Sequence, residues 1–144
     1  MHERKPLTGQ NLTYDTIEET VGKRTIFLNR KQAAKIHNMR PNTFHYRVEA
    51  GDVPAVRIGN QRKFRFDELE QGTEPHEDIV TLDDVEFVLG ERKQLLTASE
   101  LARVLNVSIP AFKAMYNEGL VPDVPGSSPR TFDVLNLGNF ITRP

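Results

Sequence analysis

Apolar positions along the chain fall into short clusters, and the spacing inside each cluster predicts brief helices and strands. Ala33, Ala34 and Ile36 mark one face of a helix that begins behind Asn29, while Phe44 and Val48, four apart, mark a second helix that begins at Pro41 and ends near Gly51. Asn29 followed by Gln32 is a capping-box pair, in which the first side chain satisfies an N–H of the new helix. Asn38 tolerates left-handed backbone and so closes the first helix. Pro41 suits a first helical turn, where its missing N–H costs nothing. Beyond Gly51, the run V-P-A-V-R-I-G-N-Q-R-K-F-R-F alternates apolar and polar residues about a Gly-Asn pair, which predicts a β-hairpin. Asp67 can cap a last helical turn containing Leu69.

The same pattern occurs twice. At an offset of 68, residues 28–69 align with residues 96–137 without an insertion, and eleven of the 42 positions are identical, among them Asn38/Asn106, Phe44/Phe112, Gly51/Gly119 and Phe64/Phe132. A gap-free match of this length reads as duplication of one supersecondary unit. Thr97 with Glu100 repeats the capping box, Leu101, Ala102, Val104 and Leu105 the first helix, and Pro110 the start of the second. Each copy is thus two short helices joined by a turn and followed by a hairpin, the last in the second copy formed by P-G-S-S-P-R-T-F. Between the copies, residues 71–78 form an acidic, turn-rich loop and residues 81–93 an amphipathic helix with Leu82, Val85, Val88 and Leu89 on one side. That helix reads as a solvated acidic face, with docking on the basic copy as the alternative. Residues 15–21 predict a short helix and residues 25–28 a strand or an extended lead-in.

Composition adds a charge asymmetry that the whole-chain value conceals. The 144 residues carry a net charge of −1. Residues 1–66, however, hold 13 Lys and Arg against 6 Asp and Glu, residues 67–95 hold 2 against 10, and residues 96–144 hold 4 of each. A basic region, an acidic connector and a neutral region fit a protein that meets a polyanion with its first half. With no cysteine, there is neither a disulfide framework nor a thiolate metal site. No apolar window is long enough for a membrane span, and the N-terminus shows no export signal. The chain lacks a glycine-rich phosphate loop and a paired nucleophile and base, so the expectation is no catalysis, no cofactor and no metal. His76-Glu77-Asp78 reads as solvated loop.

The stretch LNRKQAAKIHNMRPNTFHYRVEAGDVPAVRIGNQRKFRFDELE resembles the excisionase and MerR-type winged helix-turn-helix domains. The resemblance rests on the alanine pair of the first helix, the Pro-x-Thr opening of the second, the passage G-x-V-P-A-V-R-I-G and the closing D-E-L. It implies double-stranded DNA as the ligand, with the second helix in the major groove and the hairpin, or wing, along the backbone or minor groove. It also implies a bacterial or phage-encoded protein associated with the nucleoid, and with no cysteine and no export signal the cytoplasm is the expected compartment.

The residues agree. With Phe44 and Val48 turned inward, Asn42, Thr43, His45 and Tyr46 face outward or sideways and offer hydrogen-bonding groups to bases and phosphates. Arg40 stands where a helix prefers a Ser, Thr or Asp cap. The wing adds Arg57, Arg62, Lys63 and Arg65, with Asn60 and Gln61 at its tip. Arg47 divides between packing by its stem and direct DNA contact.

The second copy keeps the core positions Phe112, Met115 and Phe132 but not the cations. Lys113 and Arg130 alone could make a second DNA face. Protein contacts, above all self-association, are its expected role, and a weaker second DNA reader is the rival. The expected architecture is therefore α+β, mainly helical: an N-terminal extension (1–25), a basic winged helix-turn-helix (26–70), an acidic linker with a helix (71–94) and a second such domain (95–144). The expected function is sequence-specific DNA binding in transcriptional control or excision of a mobile element, as a homo-oligomer, with a recombinase or other DNA-processing protein as a further partner. The alternative is an architectural or adaptor role in phage DNA packaging or plasmid partition.

Overall fold

The computed structural model describes residues 14–69, 79–127 and 129–143. Within them the fold is mixed α+β and mainly helical, with six α-helices and six short strands. Helix α1 (Tyr14–Val21), strand β1 (Phe27–Leu28), α2 (Arg30–Ile36), α3 (Pro41–Glu49), β2 (Val56–Ile58) and β3 (Gln61–Arg65) make the first unit. Helix α4 (Leu82–Leu89), β4 (Leu95–Leu96), α5 (Ala98–Leu105), α6 (Ile109–Asn117) and β5 (Phe132–Asp133) make the second, and β6 (Ile141–Thr142) is the last described element.

The two units repeat each other in detail. Asn29 and Gln32 close a capping box on α2, and Thr97 and Glu100 close its counterpart on α5. Among the described residues, Asn38 and Asn106 are the two non-glycine residues with positive φ, at 52° and 56°. Phe44 meets Phe64 edge to face at 5.0 Å, and Phe112 meets Phe132 in the same way at 5.3 Å. Leu28 pairs with Phe64 across β1 and β3, as Leu96 pairs with Phe132 across β4 and β5.

The repeat also extends further upstream than Leu28. Helices α1 and α4 stand 68 residues apart, each closed by a glycine of positive φ, Gly22 or Gly90. Each carries an ion pair from its Glu to the Arg six residues on, Glu18 with Arg24 and Glu86 with Arg92. Helix α1 packs on α2, and α4 packs on α5.

The units differ at the hairpin. In the first, β2 and β3 pair antiparallel with Arg57 opposite Arg62. In the second, no strand forms where β2 would lie, because Pro125 takes the place of Arg57 and Gly126 that of Ile58; proline donates no ladder hydrogen bond and glycine weakens a strand. The expected second wing is replaced by a loop held by Val124 N donating to Thr131 O and by turns around Ser127.

The second unit packs against the first. Strand β6 adds to the free edge of β2, giving an antiparallel sheet in the order β1-β3-β2-β6. Beyond it, Arg143 reaches back to the buried Glu68 with two bonds of 2.7 and 2.5 Å. Gly59, in the β2–β3 turn, donates its N–H to Phe140 O at 2.7 Å, and a Cβ there would stand 2.2 Å from Met115 Sδ. Only glycine lets the tip of the hairpin come this close to the second unit. Asn106 joins the two units as well: its Nδ2 donates to Phe27 O and Gln32 Oε1, both at 2.8 Å, and its Oδ1 accepts from Lys23 Nζ at 2.7 Å.

Candidate nucleic-acid interface

Helix α3 owes its orientation to a single buried ring. Phe44 is fully buried against Phe64 and His37, which fixes one face of the helix inward. With a period of 3.6 residues, Asn42, Thr43 and Tyr46 then point away from the core. All three are exposed, Tyr46 by 74%. Arg40 precedes the helix, exposed and without any side-chain capping bond, so its guanidinium is not consumed by the helix end. His45 is half-buried, and its Nε2 lies 4.0 Å from Glu49 Oε1. Arg47 turns instead to Asp52, with Nε 3.0 Å from Oδ2, and is three-quarters covered. That packing withdraws Arg47 from the outward set.

The hairpin divides its expected cations by strand alternation, since neighbouring side chains on a strand point to opposite faces. Arg62 lies on the α3 side and bonds Glu49 at 3.0 Å. Glu49 is held below the usual carboxylate range by that hydrogen bond first, and then by the charge of Arg62. Arg57, opposite Arg62 in the ladder, is exposed, and Asn60 is exposed at the tip beside the half-buried Gln61. These residues share a surface: Arg57, Asn60, Gln61 and Arg62 line one shallow depression.

Lys63 and Arg65 are corrections to the expected DNA face. They fall on the opposite side of β3, which the second unit covers, and are only 5% and 2% exposed. Lys63 Nζ donates to Asn106 O at 2.7 Å. Burial, followed by the charge of Lys23, lowers its pKa to about 8. Arg65 donates to both oxygens of Asp84, at 2.6 and 3.1 Å, to Asp67 and to Ile79 O, and its guanidinium rides 5.6 Å from the Phe27 ring. Helix α4 therefore docks an acidic residue on the basic unit; Asp84 is buried, while Asp83 and Glu86 keep the solvated face.

In the second unit Lys113 is exposed and, among the described residues, has no ion-pair partner. Arg130 is engaged by Asp123, 3.1 Å from Oδ2, and stacks 4.4 Å over the Tyr116 ring. The structure thus does not offer the two as a matched pair of free cations.

Sequence reasoning passed over the cations of α2. Arg30, Lys31 and Lys35 are exposed and form no ion pair among the described residues. The signal was present in R-K-Q-A-A-K-I: once Ala33, Ala34 and Ile36 face inward, the cations must occupy the outer side, with Lys31 and Lys35 one turn apart. His76, Glu77 and Asp78 lie outside the described residues. Among those that are described, no helix is long and apolar enough to cross a membrane. No family model matches the chain, and no curated protein and no solved structure matches it either.

Proposed function

We propose that this chain is a sequence-specific double-stranded DNA-binding protein built from two tandem winged helix-turn-helix units, of which the first reads the DNA. The observation that carries the reading is the outward face of α3: Asn42, Thr43 and a largely exposed Tyr46 project from a helix locked by Phe44, next to a hairpin that presents Arg57 and Arg62. A large aromatic left in water beside hydrogen-bonding groups and cations suits base edges flanked by phosphates. Arg40, Asn60, Gln61 and the α2 cations Arg30, Lys31 and Lys35 extend the phosphate-facing set. A role in transcriptional control or excision of a mobile element follows from the resemblance stated above. In the second unit, the exposed Leu95 and Leu135 support its use in self-association, which sedimentation of the intact chain would test.

The test is titration of the intact chain on a selected site and on random duplex. Arg57→Ala with Arg62→Ala should weaken both complexes alike and reduce the salt slope by about 2, one for each phosphate contact. Tyr46→Ala or Thr43→Ala should cost about 1–3 kcal/mol on the selected site and little on random DNA. Equal losses on both duplexes from the helix substitutions would show that α3 does not read bases.

A further inference from the structure

Between the two units lies a cleft of about 480 Å³ whose walls carry Lys23, Arg24 and Lys63 from the first unit and Arg103 from the second, and no Asp or Glu. Several covered or partly covered cations elsewhere in the chain are met by carboxylates. Arg65 has Asp67 and Asp84, Arg62 has Glu49, Arg143 has Glu68 and Lys93 has Glu100. In the cleft the covered Lys63 has no carboxylate partner among the described residues, and of the four cations Arg24 alone is paired, with Glu18. Lys23 and Lys63 converge on one residue, Asn106, the first on its Oδ1 and the second on its backbone O, each at 2.7 Å. Both acceptors are neutral, and each ammonium has further N–H groups to donate.

The other two cations are only partly satisfied. Arg103 Nη2 makes a 3.3 Å bond to Val88 O, and Arg24 holds Glu18 at 3.4 Å through Nε with its guanidinium 5.5 Å from the Phe87 ring. Gln61 and Ser108 add neutral polar groups to the lining. Lys63 is 5% exposed, so its charge is held in a covered site beside a like charge. Lys23, Lys63 and Arg103 gather here without a carboxylate partner among the described residues, and Arg24 holds only the exposed Glu18. Holding that positive charge together costs free energy that a bound anion would recover.

We propose that this cleft binds a phosphate-bearing anion that bridges the two units. Two guanidinium forks and two ammonium groups match the several oxygens and high charge of a phosphoryl group, and a cleft of this size admits more than one such group. The phosphate can come from a small phosphorylated effector or from the backbone of bound DNA; both present the same chemistry to the cleft.

Inorganic pyrophosphate is the probe. With the intact chain at pH 7.5, it should raise the unfolding temperature in a saturable manner, by several degrees more than NaCl at equal ionic strength. Lys23→Gln changes an exposed side chain and should fold; it should weaken pyrophosphate binding about tenfold by calorimetry. Lys63→Met, which keeps the buried stem apolar, should weaken it at least as much. Arg57→Ala with Arg62→Ala should leave it unchanged, so that failure of the DNA reading and failure of the cleft are separable. If duplex DNA displaces pyrophosphate and Lys23→Gln also weakens DNA binding, the backbone is the source; if DNA binding is unaffected, a free effector is. A pyrophosphate effect no larger than that of NaCl, or one of equal size in Lys23→Gln and Lys63→Met, overturns the proposal.

Discussion

Acidification should destabilise this protein through one histidine. His37 closes α2, is 4% exposed, and stacks 6.3 Å from the Phe44 ring, with no hydrogen-bond partner for either ring nitrogen among the described residues. Burial first, and the charge of Arg47 second, lower its pKa from 6.5 to about 4. The unfolded chain therefore takes up the proton before the folded one. The stability contributed by the neutral ring is whole above pH 6.5, declines as pH falls and is gone below pH 4. At about 1.4 kcal/mol per pH unit this amounts to roughly 3 kcal/mol, of which about 2 kcal/mol is lost by pH 5. The repeat supplies the control substitution, because the equivalent position in the second unit is the fully buried Leu105. Urea unfolding of the natural chain and of His37→Leu at pH 7.5 and 5.0 should show the natural chain losing about 2 kcal/mol more, since the remaining groups titrate alike in both. Parallel losses in the two proteins would refute the assignment.

Two further substitutions probe ion pairs of opposite character. Arg65→Met leaves Asp84 buried without its cation and should cost about 3–5 kcal/mol in urea unfolding, whereas Arg65→Met with Asp84→Asn should lose clearly less than the two single changes combined. Glu49→Gln removes an exposed carboxylate from the proposed DNA-facing side and frees Arg62, so affinity for random duplex at low salt should rise about twofold to fivefold, and this gain should disappear in the Arg62→Ala background.

Local chemistry made the helix boundaries legible. Capping boxes, Asn38 and Asn106, and the prolines of α3 and α6 act within a few residues of themselves, and the structure places the ends where they indicate. The full repeat was also written in the chain. Asp15/Asp83, Glu18/Glu86, Gly22/Gly90 and Arg24/Arg92 are identical pairs at the same offset of 68, but dissimilar residues between them and Leu28 concealed the continuation. Pro125 and Gly126 already argued against a second hairpin. The fate of the wing cations was not legible. Alternation places Lys63 and Arg65 on one face of β3 and Arg62 on the other, yet which face meets solvent depends on contacts with Asp84 and Asn106, 19 and 43 residues away.

The two copies have diverged into a surface that faces solvent and a surface that faces the other copy, and their matched asparagines offer a direct measure of that division. Asn38 and Asn106 occupy equivalent helix ends with nearly equal positive φ, so replacing either by alanine imposes about the same backbone strain, roughly 1 kcal/mol. Their side chains differ. Asn38 is exposed, with no side-chain hydrogen bond among the described residues, whereas Asn106 makes three, to Phe27 O, Gln32 Oε1 and Lys23 Nζ, across the boundary between units. At about 0.5–1.5 kcal/mol for each net bond, and more for acceptors left unpaired in a covered site, Asn106→Ala should lose about 2–4 kcal/mol beyond the loss in Asn38→Ala. Urea unfolding of the intact variants gives the difference with the strain cancelled. If the second unit braces the first, Asn106→Ala should also weaken DNA binding without altering any residue of the first unit, because it loosens the packing behind β3 that sets the position of Arg57 and Arg62. Equal stability losses for the two alanine variants would show that the units do not depend on this contact, and the second unit would then need a role outside the fold of the first.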